Sequence, residues 1–314
     1  MNRSRPEPPQ QAPVIWLLTD NKPGHRNQLA GLGQRLETLA GASLYWLDAN
    51  TIQVPAWKAL LGIAPALPSG LPAPRLIIAA GTGTHRLLLS LRRLPGVRTI
   101  VLMKPSFPLA LVDAAIIPRH DGKRESTRVL LTEGAINTIT PAEGQPDSKK
   151  GVILVGGPSK HYQWDNDAVL AQIQELIREY AQWQWVISSS RRTPPELAKR
   201  LAELNAPQVE FVTPEQTPAG WLEQQFRSSG AAWVTPDSVS MVFEAITSGV
   251  PTGIFSLDAI PGSRVARGVA HLQQKQLAGF WPDHASVMRS QPPSASPLWE
   301  ADRAARWLLP MVQS

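Results

Sequence analysis

The sequence has no cysteine. Disulfides and thiolate metal sites are therefore excluded, and the composition fits a reducing compartment. The six histidines are scattered, without the HxxxH or HxH spacing of a zinc site. Long apolar runs are missing as well. "VIWLL", after the polar, Pro-rich start "MNRSRPEPPQQAP", is too short for a signal-peptide core or a membrane span, and no later stretch reaches spanning length without a charge or a proline. These absences predict a soluble, cytoplasmic chain, peripheral on the inner face of a membrane if it meets one, with residues 1–12 as a disordered tail.

Charged residues make up 18% and apolar residues 43% of the 314 residues, which favours large packed cores over disorder. The length suits two domains better than one. Net charge is +6, and it is unevenly distributed. Residues 1–145 hold 16 Lys and Arg against 9 Asp and Glu, whereas residues 146–314 hold 15 against 16. A basic first half fits ordinary solubility, an anionic membrane surface or a phosphorylated acceptor. Nucleic acid is disfavoured, because aromatic residues are not interleaved with the basic ones as stacking platforms require.

Short apolar runs alternate with helix-period segments throughout. "PVIWLLTD", "SLYWLD", "RLIIAAGTGTH", "RTIVLMKP", "DAAIIP" and "RVLLTEG" read as strands. Leu29, Leu32, Leu36 and Leu39 mark one face of an intervening helix. After the polar segment 141–150 a second series begins at "KGVILVGG", with a helix whose apolar face is Val169, Ile173, Leu176, Ile177 and Tyr180. Such alternation predicts an α/β protein of two Rossmann-like, doubly wound domains facing a cleft. The expected boundaries are 13–145 for the first domain and 146–290 for the second, with a final helix within 291–314 crossing back to the first. Ligands are expected at the carboxyl ends of the strands.

Those strand ends are polar: "TDNKPGHRNQ", "AAGTGTH", "MKPSF", "VGGPSKHYQW", "SSSRRTP" and "VTPDSVSM". Gly156 and Gly157 would let backbone amides approach an anion, with Ser159 and Lys160 adding a hydroxyl and a charge. The spacing matches neither a Walker loop nor GxGxxG. Ser189, Arg191 and Arg192 could hold a diphosphate, the alternative being a solvated basic loop. If Asp237 or Ser238 caps the next helix, the amides of Val239, Ser240 and Met241 carry a partial positive charge that attracts phosphate. Glu244, one turn on from Ser240, could accept hydrogen bonds from ribose hydroxyls. Simple capping would explain Asp237 and Gly249, but neither Glu244 nor the serines. Trp164 could stack on a base or sugar, and most of the 11 tryptophans are expected in the core.

"LLTDNKPGHRNQ", "GTGTH", "LMKPSFP", "LLTEGAIN", "GGPSKHYQWD", "SSSRRTP" and "TPDSVSMVFEA" together resemble the ELM1-like family, whose plant members are associated with mitochondrial division and whose bacterial members are described as glycosyltransferases. More distantly, "SVSMVFEAITSGVP" is similar to the donor-binding segment of GT-B glycosyltransferases. The resemblance implies a GT-B-like fold with a nucleoside-diphosphate sugar as donor substrate in the second domain and no tightly bound cofactor or metal. The first domain would bind the acceptor, a cell-envelope glycolipid or polysaccharide at a membrane surface. It also implies a catalytic base from the first domain, for which Asp20 and His25 are the candidates; the alternative for Asp20 is an N-cap or Asx turn, and for His25 a helix-start residue that binds phosphate or backbone. Lys22, Gly24, Arg26 and Gln28 would orient the acceptor, with Gly81, Thr82, Gly83, Thr84 and His85 cradling it and Lys104 meeting an acceptor phosphate. Two other readings remain open at this stage: a nucleotide-sugar epimerase or hydrolase on the same scaffold, and a non-catalytic adaptor that keeps the fold.

Overall fold

A computed structural model describes residues 12–142, 149–204, 206–289 and 298–313. The chain divides into two compact units. One comprises residues up to Thr138 together with Glu300 onward, and the other Ile139–Trp299. The boundary precedes the polar segment expected to link the domains, part of which lies outside the described residues, as do 1–11 and 290–297 of the expected tail and final segment.

In the first unit, six parallel strands among the described residues are β1 (Val14–Thr19), β2 (Ser43–Asp48), β3 (Leu76–Ala80), β4 (Arg98–Leu102), β5 (Ala114–Pro118) and β6 (Val129–Thr132). Their order is β2-β1-β3-β4-β5-β6. The central strands are nearly unbroken apolar runs because both faces are covered; every residue of β3 and β5 is buried. Helices α1 (Pro23–Ala40), α2 (Ala56–Leu61) and α3 (His85–Leu91) connect the early strands. Pro23 at its first turn and left-handed Gly41 at its end delimit α1. Leu29, Leu32 and Leu36 are buried, and Leu39 is half-buried.

The second unit repeats the plan with β7 (Lys150–Val155), β8 (Gln184–Ser189), β9 (Val209–Val212), β10 (Ala231–Val234), β11 (Thr252–Ile254) and β12 (Gly279–Phe280). All are parallel, in the order β12-β11-β10-β7-β8-β9. Its helices are α4 (Asn166–Glu179), α5 (Pro195–Ala202), α6 (Trp221–Ser228), α7 (Val239–Ser248), α8 (Arg264–Gln274) and α9 (His284–Arg289). Trp185 and Trp233 are fully buried in its core. Each such apolar side chain contributes about 1.5–3 kcal/mol through removal from water.

The last helix, α10 (Glu300–Gln313), belongs to the first unit and packs on α1. Ala301, Ala304, Ala305 and Leu308 recur at helical spacing and are buried, so small side chains let the two backbones approach. Arg35 pairs with Asp302 at 2.6 Å, holding the register.

No helix among the described residues is long and apolar enough to cross a membrane.

Candidate functional site

Each sheet reverses its strand order once, between β1 and β3 in the first unit and between β7 and β10 in the second. Crevices at such switch points are where open α/β sheets bind ligands. Two clusters of the polar residues singled out in the sequence sit at these points.

In the first unit, Asp20 follows β1 with its side chain 4% exposed. Its Oδ1 is 2.8 Å from His25 Nδ1 and accepts from the Lys22 amide at 3.3 Å, closing an Asx turn. The two readings of Asp20, turn former and partner in chemistry, are therefore compatible. Burial raises the Asp20 carboxyl, but hydrogen bonds from His25 and the Lys22 amide, with the charges of both residues, outweigh it and leave it below its ordinary 3.8. An ionised carboxylate only accepts, so Nδ1 of His25 donates, and whenever the ring is neutral Nε2 is left as the acceptor. The His25 side chain keeps 22% exposure. Asp20 Oδ2 has no hydrogen-bond partner among the described residues.

Gly81, after β3, has φ +89° and lies so close to the pair that a Cβ would strike the His25 ring and Asp20 Oδ2. Only glycine meets both conditions. Thr84 donates to the Gly81 carbonyl at 2.7 Å, closing the turn that launches α3. His85 is held by Ser106 Oγ at 3.0 Å and by an edge contact with Phe107; burial lowers its pKa, partly offset by Asp20. Neither Ser106 nor the positive φ of Asn21 (61°) and Met103 (68°) was legible in the sequence. Asn21 lies just after β1 and Met103 just after β4, so both left-handed residues sit at strand ends of the first unit.

The other first-unit candidates divide. Arg26 stacks over Trp46, 4.7 Å from the ring centroid, and reaches Asn21. Gln28 contacts Met103 Sδ at 3.4 Å. Lys22, Gly24, Thr82, Gly83 and Lys104 are exposed. A cavity of about 440 Å³ lies beside Gly83, lined also by Asn50, Val54 and Arg86. Asn50 Nδ2 donates to the Asp20 carbonyl at 3.2 Å.

In the second unit the strand ends are interlocked. Thr235 Oγ1 accepts from the Gly156 amide at 2.8 Å, and Asp237 Oδ2 accepts from the Gly157 amide at 3.0 Å. Arg192 pairs with Asp237 at 2.8 Å and donates to the carbonyls of Gly157 and Pro158. The Asp237 side chain is 0% exposed. Thr193 donates to the carbonyls of Val155 and Gly156. A Cβ on Gly156 would strike the Asp237 carboxylate, and one on Gly157 the Arg192 backbone.

These contacts give Asp237 and Arg192 a different occupation from the diphosphate and cap roles read in the sequence. Their charges neutralise each other and hold the loop after β7. The N-cap position of α7 belongs to Ser238, whose side chain makes no capping bond. Ser189 is buried, with its hydroxyl directed to the Val212 carbonyl at 3.5 Å. The first intrahelical bond of α7 runs from Val242 to Ser238, so the amides of Val239, Ser240 and Met241 occupy the electropositive end of the helix. Lys160, Arg191 and Ser240 are exposed, whereas Glu244 is half-buried. Ser159 Oγ accepts from the His161 amide at 3.1 Å.

Trp164 lines a cavity of about 1200 Å³ with Tyr162, Phe255 and Trp281, and its Nε1 donates to Asn166 at 2.7 Å. Burial, then the charge of Asp237, pushes the Tyr162 hydroxyl up to about 12.

One Asp-x-Asp triplet, Asp165–Asp167, lies at the start of α4. Asp165 accepts from the amides of Asp167 and Ala168, and Asp167 pairs with Arg200 at 2.6 Å. Among the described residues no group of three or more His, Asp or Glu side chains is arranged to hold a metal ion.

The sequence model of the family described as Mitochondrial fission ELM1 matches residues 23–312. A Rickettsia prowazekii (strain Madrid E) relative, Uncharacterized protein RP120, is 22% identical, over 93% of this chain and 96% of its own. Among solved structures, a Listeria monocytogenes protein assigned as a UDP-N-acetylglucosamine 2-epimerase is similar in fold at TM-score 0.59, with 11% identity and 96% of each chain covered. The S. aureus MnaA–UDP co-structure is similar at TM-score 0.51, with 14% identity over 96% of this chain and 98% of that one. The E. coli ADP-heptose LPS heptosyltransferase II matches at 0.47, with 12% identity over 96% and 98%. The fold is GT-B-like, and the likeness spans both units.

Proposed function

The chain belongs to the mitochondrial fission ELM1 family, and we propose that it is a glycosyltransferase moving a sugar from a nucleoside-diphosphate sugar to a hydroxyl of a cell-envelope glycolipid or polysaccharide. The observation that carries this reading is the Asp20–His25 pair at the β1/β3 switch point. Asp20 fixes the His25 tautomer, so Nε2 is available as a general base. In the proposed step Nε2 takes the acceptor hydroxyl's proton as the oxygen bonds to the anomeric carbon. The bond from that carbon to the diphosphate breaks, and its electron pair leaves on the phosphate oxygen.

In the second unit, the proposed donor site is the start of α7. The amides of Val239, Ser240 and Met241, with Lys160 and Arg191, would stabilise the leaving diphosphate, which needs no metal. Glu244 would accept from the ribose hydroxyls. Asp237 and Arg192 would act by shaping the Gly156–Gly157 loop. The first unit would take the acceptor near Gly81–Gly83, with Lys22 and Lys104 supplying charge.

The first test is thermal unfolding of wild type and Glu244→Ala with UDP, GDP, ADP, CMP and their sugars. A ligand at about 100 times its dissociation constant adds roughly 2.7 kcal/mol, a shift of a few °C for a chain of this size. A shift with one nucleotide, reduced in the variant, supports the donor site. Nucleotide release that requires an added acceptor supports transfer. Release without any acceptor would favour an epimerase or hydrolase, and no shift with any nucleotide would favour a non-catalytic adaptor.

A further inference from the structure

Helix α2 exposes its apolar side. Trp57, Leu60 and Leu61 are 56%, 72% and 47% exposed, and Ile63 just beyond the helix is 42% exposed. Trp57, Leu60 and Leu61 stand at i, i+3 and i+4, so they share one face, while Ala59 on the other is buried. Large apolar side chains exposed singly are common, but four clustered within seven residues mark a contact surface.

Charge around the helix identifies what it contacts. From Ala49 to Val112 the sequence contains no Asp or Glu, although Lys58, Arg86, Arg92 and Arg93 all fall within this stretch. Arg92 donates to the carbonyls of Ala59 and Leu60 at 2.6 Å, satisfying the end of α2 and keeping a cation there. The Arg93 side chain lies against Gly62, and the Lys58 ammonium lies 5.7 Å from the Trp57 ring centroid. An apolar face with a tryptophan, flanked by the cations Lys58, Arg92 and Arg93, matches the interface of an anionic bilayer. Apolar side chains enter the acyl boundary there, and Lys and Arg meet the headgroups.

We infer that α2 and Ile63 form a docking surface for an anionic lipid membrane. Trp57, Leu60, Leu61 and Ile63 insert, while Lys58 and Arg93 meet lipid phosphates and Arg92, held on the α2 carbonyls, adds positive charge. Pro55, at the start of α2, also lines the cavity beside Gly83 and Arg86, so the docked face adjoins the acceptor-side cluster. The docking surface is independent of the transferase reading and stands or falls separately, because its test involves no sugar donor.

The test is co-sedimentation of the full chain with vesicles of phosphatidylcholine alone or mixed with phosphatidylglycerol. Binding is expected only with the anionic lipid and should weaken as salt rises. Leu60→Glu/Leu61→Glu should lower the partition coefficient about tenfold or more, with an unchanged melting temperature because both positions are exposed. A second measurement uses bromine-labelled phosphatidylglycerol, which should quench tryptophan fluorescence in wild type and markedly less in Trp57→Phe. Equal sedimentation of wild type and the double variant would overturn the proposal, as would the absence of sedimentation with anionic vesicles. It would also fail if ultracentrifugation showed a dimer that the same double substitution dissolves.

Discussion

Asp20 Oδ1 and His25 Nδ1 are 2.8 Å apart, with Gly81 packed against both. If this pair supplies the base, Asp20→Asn leaves the shape but not the charge that fixes the imidazole. Turnover should then fall by about 10²–10⁴-fold, and His25→Ala should fall at least as far. Steady-state kinetics with the donor found in the nucleotide screen would measure this. Nucleotide affinity should change little, since both residues lie in the first unit.

The same aspartate gives a pH signature. Its folded pKa lies below the ordinary 3.8, so the stability it contributes is present above that value and is lost as pH falls through the folded one. Urea unfolding of wild type and Asp20→Asn should show the wild-type advantage at pH 6, shrinking steadily below about pH 4. A difference that does not vary with pH would assign the pair no ionic contribution.

Gly81 and Gly122 both have positive φ, but nothing lies within 4 Å of a Cβ at Gly122. Gly122→Ala should therefore cost only the left-handed penalty, roughly 1–2 kcal/mol. Gly81→Ala adds collision with the Asp20–His25 pair and should cost about 3 kcal/mol or more. Denaturant melts of the two variants would compare them directly.

Arg192→Met should strand the buried Asp237 carboxylate and loosen the Gly157 loop. A cost of about 3 kcal/mol is expected, at the lower end for a broken pair because Arg192 is 44% exposed. Adding Asp237→Asn should recover part of the loss in a double-mutant cycle.

Glu244→Ala should reduce the preference for a ribonucleotide over its 2′-deoxy analogue, while Lys160→Ala and Arg191→Ala should weaken both equally. Isothermal titration with the matched pair would separate ribose recognition from phosphate recognition. Retained ribose preference in Glu244→Ala would remove that residue from the site.

Parallel strands covered on both faces must be continuous apolar runs, so "LIIAA" and "VILV" were readable as strands without any partner in view. The same logic marked α1 and α4 by apolar spacing, while capping and a Gly-Val-Pro stop marked α7, and the glycine and hydroxyl clusters fell at strand ends. It missed α2, β12 and α9. At six residues or fewer they carry too little periodicity, and α2 presents its apolar side outward, where no core pattern exists. The roles of Asp237 and Arg192 were also hidden. Capping and phosphate binding are local readings, whereas the observed partners of Asp237 lie 45 and 80 residues away in sequence.

Local rules therefore carried the sequence as far as two alternating β/α series with polar strand ends, because propensity and burial act over a few residues. Only the tertiary structure decided which of those polar residues meet. It joined Asp20 to His25 against Gly81 and locked Asp237 onto Arg192 and Gly157. It also left the face of α2 uncovered, because strand order and packing determine which distant side chains share one dry, crowded space.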